Sequence, residues 1–135
     1  MTFEEYCIKR KQPEWEWHLV VDNRYANNLC KIHPLQQKAT ERICEYATNH
    51  SELKKIIIFG SSTTYLCNSC SDLDVYVEWS RPYRDEEDNW EPFVTAFMKY
   101  LREVTNSNGY DLIFEDEVVT DRFRENIMKG VVVYE

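Results

Sequence analysis

The chain has 135 residues, enough for one domain with its own core, and its 43% hydrophobic and 30% charged residues are ordinary for a globular protein. Its formal net charge of -8 disfavours a nucleic acid as partner, because such binding draws affinity from Lys and Arg that neutralise phosphates. No apolar run approaches the roughly 20 residues that span a bilayer, so we expect no membrane partner. Met1–Tyr6 lacks the basic start and apolar core of a signal peptide. We therefore expect one cytoplasmic domain over residues 1–135.

The first third of the chain, residues 1–52, is predicted to be a mostly helical extension. The stretch that begins at Glu14 alternates like a strand and then becomes uniformly apolar, so its type stays open. From Leu35 the period is helical. The apolar residues that share one face of this helix are Leu35, Ala39, Ile43, Tyr46 and Ala47. Asn49-His50-Ser51 is expected to end the helix.

Two strands are predicted in the middle of the chain. Residues 54–59 form a β-branched run, typical of a strand buried on both faces, and Gly60 stops it. Residues 61–63 (Ser-Ser-Thr) suit the start of a short helix. Residues 73–78 alternate as a second strand, and the polar segment from Trp79 to Asn89 is predicted to be a surface loop.

The last part of the chain contains the clearest helix. Its apolar residues recur at spacings of three and four, and we expect them to face the core: Trp90, Phe93, Val94, Phe97, Met98, Leu101 and Val104. A strand over 110–114, a helix over 123–128 closed by Gly130, and a strand over 131–134 follow. The order predicts an α/β (α+β) fold with a four-stranded mixed sheet and packed helices.

The five cysteines are expected to be free thiols. Their odd number argues against a disulfide framework in a chain without a signal peptide. Cys67 and Cys70 have CxxC spacing, and Cys30 with His33 could supply the two further ligands of a structural zinc site. Zinc is the weaker interpretation, because thiols usually pack as small hydrophobic side chains.

Three aspartates on predicted strands indicate a metal site. Asp72 and Asp74 are two residues apart, so they project from the same face of a strand, about 7 Å apart along the chain. Side by side they repel each other unless a cation lies between them, and Mg²⁺ with oxygen ligands is the usual solution. Asp111 lies in an otherwise apolar strand, where a charge is costly unless it is paired or bound to a metal.

The Gly60-Ser61 turn complements this metal site. Gly60 allows a sharp turn at the end of the first strand, and the amides of Ser62 and Thr63 then lie at a helix start, where free N–H groups and the helix dipole bind phosphate. A turn that holds a nucleotide's phosphates beside metal-binding carboxylates suits the transfer of a nucleotidyl group.

These residues closely resemble the minimal nucleotidyltransferase (MNT) domains of the DNA polymerase β-like nucleotidyltransferase superfamily. The shared pattern is an apolar strand, Gly-Ser, a spacer, Ser-Asp-apolar-Asp on the next strand, and an Asp on a later strand. Members often end in Ile-x-x-Gly-Val-x-x-Tyr, which is matched by Ile127, Gly130, Val131 and Tyr134. The resemblance covers residues 53–135, for which it implies the polymerase β-like fold as a nucleotidyltransferase core.

The resemblance also implies roles for single residues. It assigns Gly60, Ser61 and Ser71 to the nucleotide, and the three catalytic and metal-binding positions to Asp72, Asp74 and Asp111. The implied reaction is attack of a hydroxyl on the α-phosphorus of a nucleoside triphosphate, with ATP as the expected substrate, two Mg²⁺ ions as cofactors and pyrophosphate released. Many relatives carry Arg-Gly where this chain has Thr64-Tyr65. The replacement cation is not identified; the candidates are Arg81, Arg84, Arg122 and Lys129.

A protein is the acceptor that the resemblance implies first. Small MNT domains are often antitoxins that transfer AMP to a tyrosine of a helical HEPN-type toxin, whereas antibiotic-modifying relatives usually carry a further substrate-binding domain. Two alternatives stay open: a catalytically silent protein that binds a partner through the same face, and a nucleotidyltransferase for a small molecule such as an antibiotic.

Overall fold

Helices and strands alternate along the chain in the predicted order. The computed structural model describes residues 20, 24–80, 87–105, 109–118 and 120–135. The helices and strands of these residues are α1 (Pro34–Thr48), β1 (Leu53–Phe59), β2 (Leu73–Trp79), α2 (Glu87–Val104), β3 (Tyr110–Phe114), α3 (Asp121–Met128) and β4 (Val131–Tyr134). Single 3-10 turns lie at Leu29–Lys31, Gly60–Thr63 and Glu115–Glu117. The chain is therefore a mixed α and β structure, as predicted.

The strands form one four-stranded mixed sheet in the order β3-β2-β1-β4. β1 pairs antiparallel with both β2 and β4, whereas β2 and β3 are parallel. A parallel pair needs a long crossover connection, and α2 provides it between β2 and β3. The end of β1 and the starts of β2 and β3 consequently meet at one edge of the sheet.

Both faces of the sheet are covered by helices. On one face, Leu73, Val75 and Val77 of β2 pack into the larger core, which also contains side chains of α1 and α2. On the other face, Tyr76 of β2 packs with Ile127 of α3 in a smaller core. β1 contributes to both cores, which explains the continuous apolar run over residues 56–59.

The predicted surface loop from Trp79 to Asn89 is wrong at both ends. Trp79 is the last residue of β2, where it is opposite Leu53 in the pairing with β1, and it is only 1% exposed. Its indole meets the rings of Trp90 and Phe93 edge-on, with centroids 4.3 and 5.2 Å away. α2 begins earlier than predicted, at Glu87. Aromatic packing between β2 and α2 therefore makes Trp79 and the residues from Glu87 onwards part of regular elements, although the sequence between them is polar.

The buried face of α1 also differs from the prediction. Leu35 is 55% exposed, whereas Gln36, Gln37 and Thr40 are buried. The apolar residues further along the helix are buried as expected: Ala39, Ile43 and Ala47. The start of α1 faces polar backbone groups rather than apolar side chains, which favours amide and hydroxyl groups at its buried positions.

The segment before α1 covers the outer edge of β4. The backbone N–H of Asn27 donates to the carbonyl of Val133 at 2.7 Å, and Asn28 Nδ2 donates to the carbonyl of Val132 at 3.0 Å. These bonds use carbonyl groups that an exposed edge strand would present to other chains. Most of the ambiguous stretch from Glu14 onwards lies outside the described residues.

In the part of the chain that the structure describes, no helix is both long enough and apolar enough to cross a membrane.

Four cysteines in the described ranges are free thiols, as expected: Cys30, Cys44, Cys67 and Cys70. Cys7 lies outside those ranges.

Glu41 of α1 holds the segment before the helix in place. Its Oε1 accepts hydrogen bonds from the backbone N–H groups of Arg24 and Tyr25 at 3.0 and 3.1 Å, and its Oε2 accepts one from Ala26 at 3.0 Å. A carboxylate that accepts several N–H groups makes stronger bonds than a neutral acceptor. We expect this residue to contribute measurably to stability.

The prediction is that Glu41→Ala lowers the free energy of unfolding by about 2 kcal/mol, since the three N–H groups lose a charged acceptor. Urea denaturation measures the change. The matched control is Glu45→Ala, which removes an exposed glutamate one helical turn further along α1 and should cost less than about 0.5 kcal/mol. Equal losses in the two variants would contradict the role of Glu41.

Candidate metal centre

Three carboxylates converge at the edge of the sheet where β2 and β3 begin. Asp72 directly precedes β2, Asp74 is the second residue of β2, and Asp111 is the second residue of β3. One oxygen of each lies within 4.8 Å of the others. Among the described residues, no other group of three His, Cys, Asp or Glu side chains has the spacing to hold a metal ion. The zinc site that the cysteine spacing would allow is therefore not formed among the described residues.

The parallel pairing of β2 and β3 determines this convergence. Asp74 lies directly opposite Asp111 in the register, and the backbone N–H of Leu73 donates to the carbonyl of Gly109 at 3.1 Å. Because side chains alternate along a strand, Leu73 and Val75 point to the opposite face, where both are fully buried. Packing of these apolar residues thus keeps the aspartates on the other face, as the alternation predicted.

Two of the three carboxyl groups, those of Asp72 and Asp74, have a raised pKa. Burial, and then the negative charges of Asp72 and Asp111, raise the pKa of Asp74 to about 7. Burial also raises the pKa of Asp72, followed by its hydrogen bond with Asp111 and the charge of that residue. Like charges this close favour protonation of one member unless a cation binds. The site is therefore suited to a divalent cation or, without one, to a proton.

Gly60 lies directly against the carboxylate of Asp74. Its φ of +74° lies in the left-handed region, and a Cβ at this position would overlap with Oδ2 of Asp74. Phe59, the residue before it, is opposite Asp74 in the pairing of β1 with β2. Glycine is therefore required here by backbone conformation and by the space that the carboxylate occupies. The Gly-Ser turn therefore lies directly against the Asp74 carboxylate.

The turn itself is shorter than the helix that was predicted to bind phosphate. Residues 60–63 form a single 3-10 turn, closed by Thr64 N–H, which donates to the carbonyl of Ser61 at 2.9 Å. Ser62 and Thr63 are buried, and Thr63 Oγ1 donates to the carbonyl of Gly60 at 2.9 Å. One turn lacks the aligned peptide units of a long helix, so any phosphate would depend on individual N–H groups and on half-buried Ser61.

Thr64, at which the chain departs from the motif, and Ser71, which matches it, both make hydrogen bonds within the loop. Thr64 Oγ1 donates to the carbonyl of Ser61 at 3.0 Å, so this side chain completes the turn in place of a cation. Ser71 Oγ accepts a hydrogen bond from the backbone N–H of Asn68 at 3.0 Å and so closes the spacer loop before Asp72. Of the four cation candidates, Arg122 and Lys129 are exposed at or after α3, and Arg81 and Arg84 lie outside the described residues.

Gln36 of α1 is a residue of the site that sequence reasoning missed. Its Nε2 donates to the carbonyls of Ser71 and Asp72 at 3.2 and 3.4 Å. A glutamine at the start of a helix is usually exposed, so its identity carries no signal. Its position in the helix does carry a signal. Gln36 and Thr40 lie on the same face as Ile43 and Ala47, and polar residues on a buried face must have hydrogen-bond partners.

Comparison with known proteins adds no family assignment. No protein-family model matches the chain, and no curated protein is significantly similar to it. The resemblance to MNT domains therefore consists of motif residues and of the strands that carry them. The chemistry of the centre has to be inferred from its carboxylates and from the turn that contacts them.

The close approach of Gly60 to Asp74 yields a prediction. We expect Gly60→Ala to lower the free energy of unfolding by about 1–2 kcal/mol because of the positive φ, and also to displace the Asp74 carboxylate. The displacement should weaken Mn²⁺ binding, measured by electron paramagnetic resonance titration, by roughly tenfold or more.

Gly109→Ala is the matched control. Gly109 has a similar φ of +79°, but a Cβ there would have no neighbour within 4 Å. This variant should show the same loss of stability with little change in Mn²⁺ affinity. If both alanine variants bind Mn²⁺ as the wild type does, the contact between Gly60 and Asp74 does not maintain the centre.

The raised pKa of Asp74 predicts how stability depends on pH. The pKa is 3.8 for an ordinary aspartate and about 7 in the folded protein, so the folded state binds this proton more tightly than the unfolded state. The resulting stabilisation is fully present below pH about 4 and is lost as the pH rises to about 7. In the presence of EDTA, the urea midpoint of the wild type should therefore fall over this range relative to that of Asp74→Asn.

Mg²⁺ should reverse the loss at pH 7.5, because a bound cation replaces the proton as the partner of the carboxylates. Mg²⁺ at a hundredfold excess over its dissociation constant would add about 2.7 kcal/mol to the wild type. It should add little to Asp74→Asn. A difference between wild type and variant that does not change with pH would show that Asp74 keeps an ordinary proton affinity.

Proposed function

We propose that the protein is a metal-dependent nucleotidyltransferase, which transfers a nucleoside monophosphate from a nucleoside triphosphate to a hydroxyl group. The observation that carries this proposal is the convergence of Asp72, Asp74 and Asp111 within 4.8 Å against the Gly60 turn. The mixed sheet, with an acidic pair on β2 and a third aspartate on parallel β3, supports a polymerase β-like fold as part of the same proposal.

The donor set fits a hard divalent cation. All three ligands are carboxylates, which Mg²⁺ and Mn²⁺ prefer, whereas zinc and copper sites usually include nitrogen or sulfur. Burial and the negative charges of Asp72 and Asp111 raise the pKa of Asp74 to about 7, so a bound cation would relieve the repulsion among these carboxylates. When bound, one or two Mg²⁺ ions would neutralise the phosphate charge and favour ionisation of the attacking hydroxyl.

The residues of the chain would divide the remaining tasks. Gly60 and Ser61 would position the phosphates beside the carboxylates, which brings the α-phosphorus close to the acceptor. Asp111 is the exposed member of the three and would accept the proton of the attacking hydroxyl. A new bond forms between the hydroxyl oxygen and the α-phosphorus, the bond to the bridging oxygen breaks, and that oxygen leaves with pyrophosphate.

The substrates follow from the resemblance to MNT domains. ATP is the proposed donor and a protein hydroxyl the proposed acceptor, with a tyrosine of a HEPN-type toxin as the first candidate. The net charge of -8 agrees with a protein or small molecule rather than a nucleic acid as acceptor.

The proposal is tested by incubating the protein with Mg²⁺ and α-labelled nucleoside triphosphates, with and without the proteins encoded beside it. We expect label on one of those proteins and release of pyrophosphate. Asp72→Asn and Asp74→Asn should each lower the rate by roughly a thousandfold, which corresponds to about 4 kcal/mol of lost transition-state stabilisation. Circular dichroism should show that both variants keep the fold.

Glu103→Gln is the control, because it removes one negative charge from an exposed position of α2. It should transfer nucleotide at the wild-type rate. Transfer that persists in the double variant Asp72→Asn and Asp74→Asn would refute their role. A wild-type protein that binds the neighbouring protein but no triphosphate in the presence of Mg²⁺ would be a silent binding protein. Transfer of label only to an added small hydroxylated molecule, such as an antibiotic, would show that the acceptor is not a protein.

A further inference from the structure

We infer that Gln36 is a positioning residue of the metal centre, which connects the start of α1 to the ligand Asp72 and to the Gly-Ser turn. This inference rests on the proposed function, because it assigns Asp72 to metal binding. It concerns a part of the chain, residues 1–52, to which the motif residues assign no role. Gln36 itself would contact neither metal nor nucleotide.

A closed circuit of hydrogen bonds links the three segments. The Nε2 of Gln36 donates to the Asp72 carbonyl at 3.4 Å, and Ser62 Oγ approaches the same carbonyl at 3.5 Å. The Ser62 carbonyl accepts from the backbone N–H of His33 at 2.8 Å. The His33 carbonyl in turn accepts from the backbone N–H of Gln36 at 2.8 Å. The metal ligand, the turn and the helix start therefore constrain one another.

The two donor side chains of the circuit are buried. Gln36 is 2% exposed and Ser62 is fully buried, so loss of their hydrogen bonds would leave buried polar groups without partners. The Nε2 of Gln36 also donates to the Ser71 carbonyl at 3.2 Å, and the Gln36 carbonyl accepts from Thr40 Oγ1 at 2.8 Å. The peptide groups on both sides of the Asp72 Cα are thus held from α1.

Such a constraint is needed because the carboxylates repel one another. Asp72 precedes the first residue of β2, so the sheet's own hydrogen bonds do not hold it as they hold Asp74 and Asp111. Without support, its backbone could move away from the other two charges. Groups that orient metal ligands in this way typically change metal affinity by 10- to 100-fold when they are removed.

Gln37 provides an unusually close control. It is the next residue of α1, is also buried, and also uses Nε2 to donate to one backbone carbonyl, that of Ile32 at 2.9 Å. The bond of Gln37 stays within the segment that leads into the helix and does not reach Ser71 or Asp72. Replacement of either glutamine by Met keeps the side-chain length and removes the donor, so general damage to α1 affects both variants alike.

The experiment compares Gln36→Met and Gln37→Met in the full chain. Binding of Mn²⁺ alone is measured by electron paramagnetic resonance, and protection of the backbone amides of residues 71–74 is measured by hydrogen exchange without metal. We expect Gln36→Met to raise the Mn²⁺ dissociation constant by roughly 10- to 100-fold and to lower amide protection. Gln37→Met should leave both within about twofold of wild type.

Gln36→Asn serves as a second variant in case the Met variant does not fold. It keeps a polar amide but is one methylene shorter, so it should fold and still weaken Mn²⁺ binding. Equal effects of the Gln36 and Gln37 variants, or none from Gln36, would overturn the inference. If the wild type binds Mn²⁺ but transfers no nucleotide, the proposed function fails, while the comparison of glutamine variants still decides the role of Gln36. If it binds no Mn²⁺, hydrogen exchange decides whether Gln36 holds residues 71–74.

Discussion

The mutual repulsion of three carboxylates is the constraint on which the rest of this structure depends. Asp72, Asp74 and Asp111 lie within 4.8 Å of one another, an arrangement that an unsupported chain would relieve by moving apart. The parallel pairing of β2 with β3 prevents this movement for two of them. That pairing requires the crossover through α2, and the aromatic contacts of Trp79 with α2 stabilise the crossover. Apolar packing on one face of the sheet thus keeps the carboxylates close together on the other face.

The Asp72 carboxylate is held in place in a different way. Asp72 lies outside the strand, and hydrogen bonds from Gln36 and Ser62 to its carbonyl replace the ladder that it lacks. Gly60 completes the arrangement, since only a residue without Cβ leaves room for Asp74. The groups that hold the three carboxylates together therefore come from segments far apart in the sequence.

The mistaken predictions have a common physical cause. Hydrophobic periodicity measures only apolar packing, so it predicts Leu35 in the core and gives no role to Gln36. The start of α1 covers backbone carbonyls, for which an amide is a better neighbour than a leucine. The polar residues that follow Trp79 predict a loop there, although the Trp79 ring belongs to the core. Both errors concern contacts that form only when segments far apart in the sequence pack together.

The sequence by itself determined the order of helices and strands and the face on which the aspartates lie. These properties follow from local rules: the alternation of Leu73, Asp74 and Val75, and the helical period of α2. Only the tertiary structure decided that Asp111 lies opposite Asp74, that Gly60 contacts Asp74, and that Gln36 supports Asp72. Strand partners and buried polar contacts depend on the three-dimensional packing of segments separated by tens of residues, which no local pattern encodes.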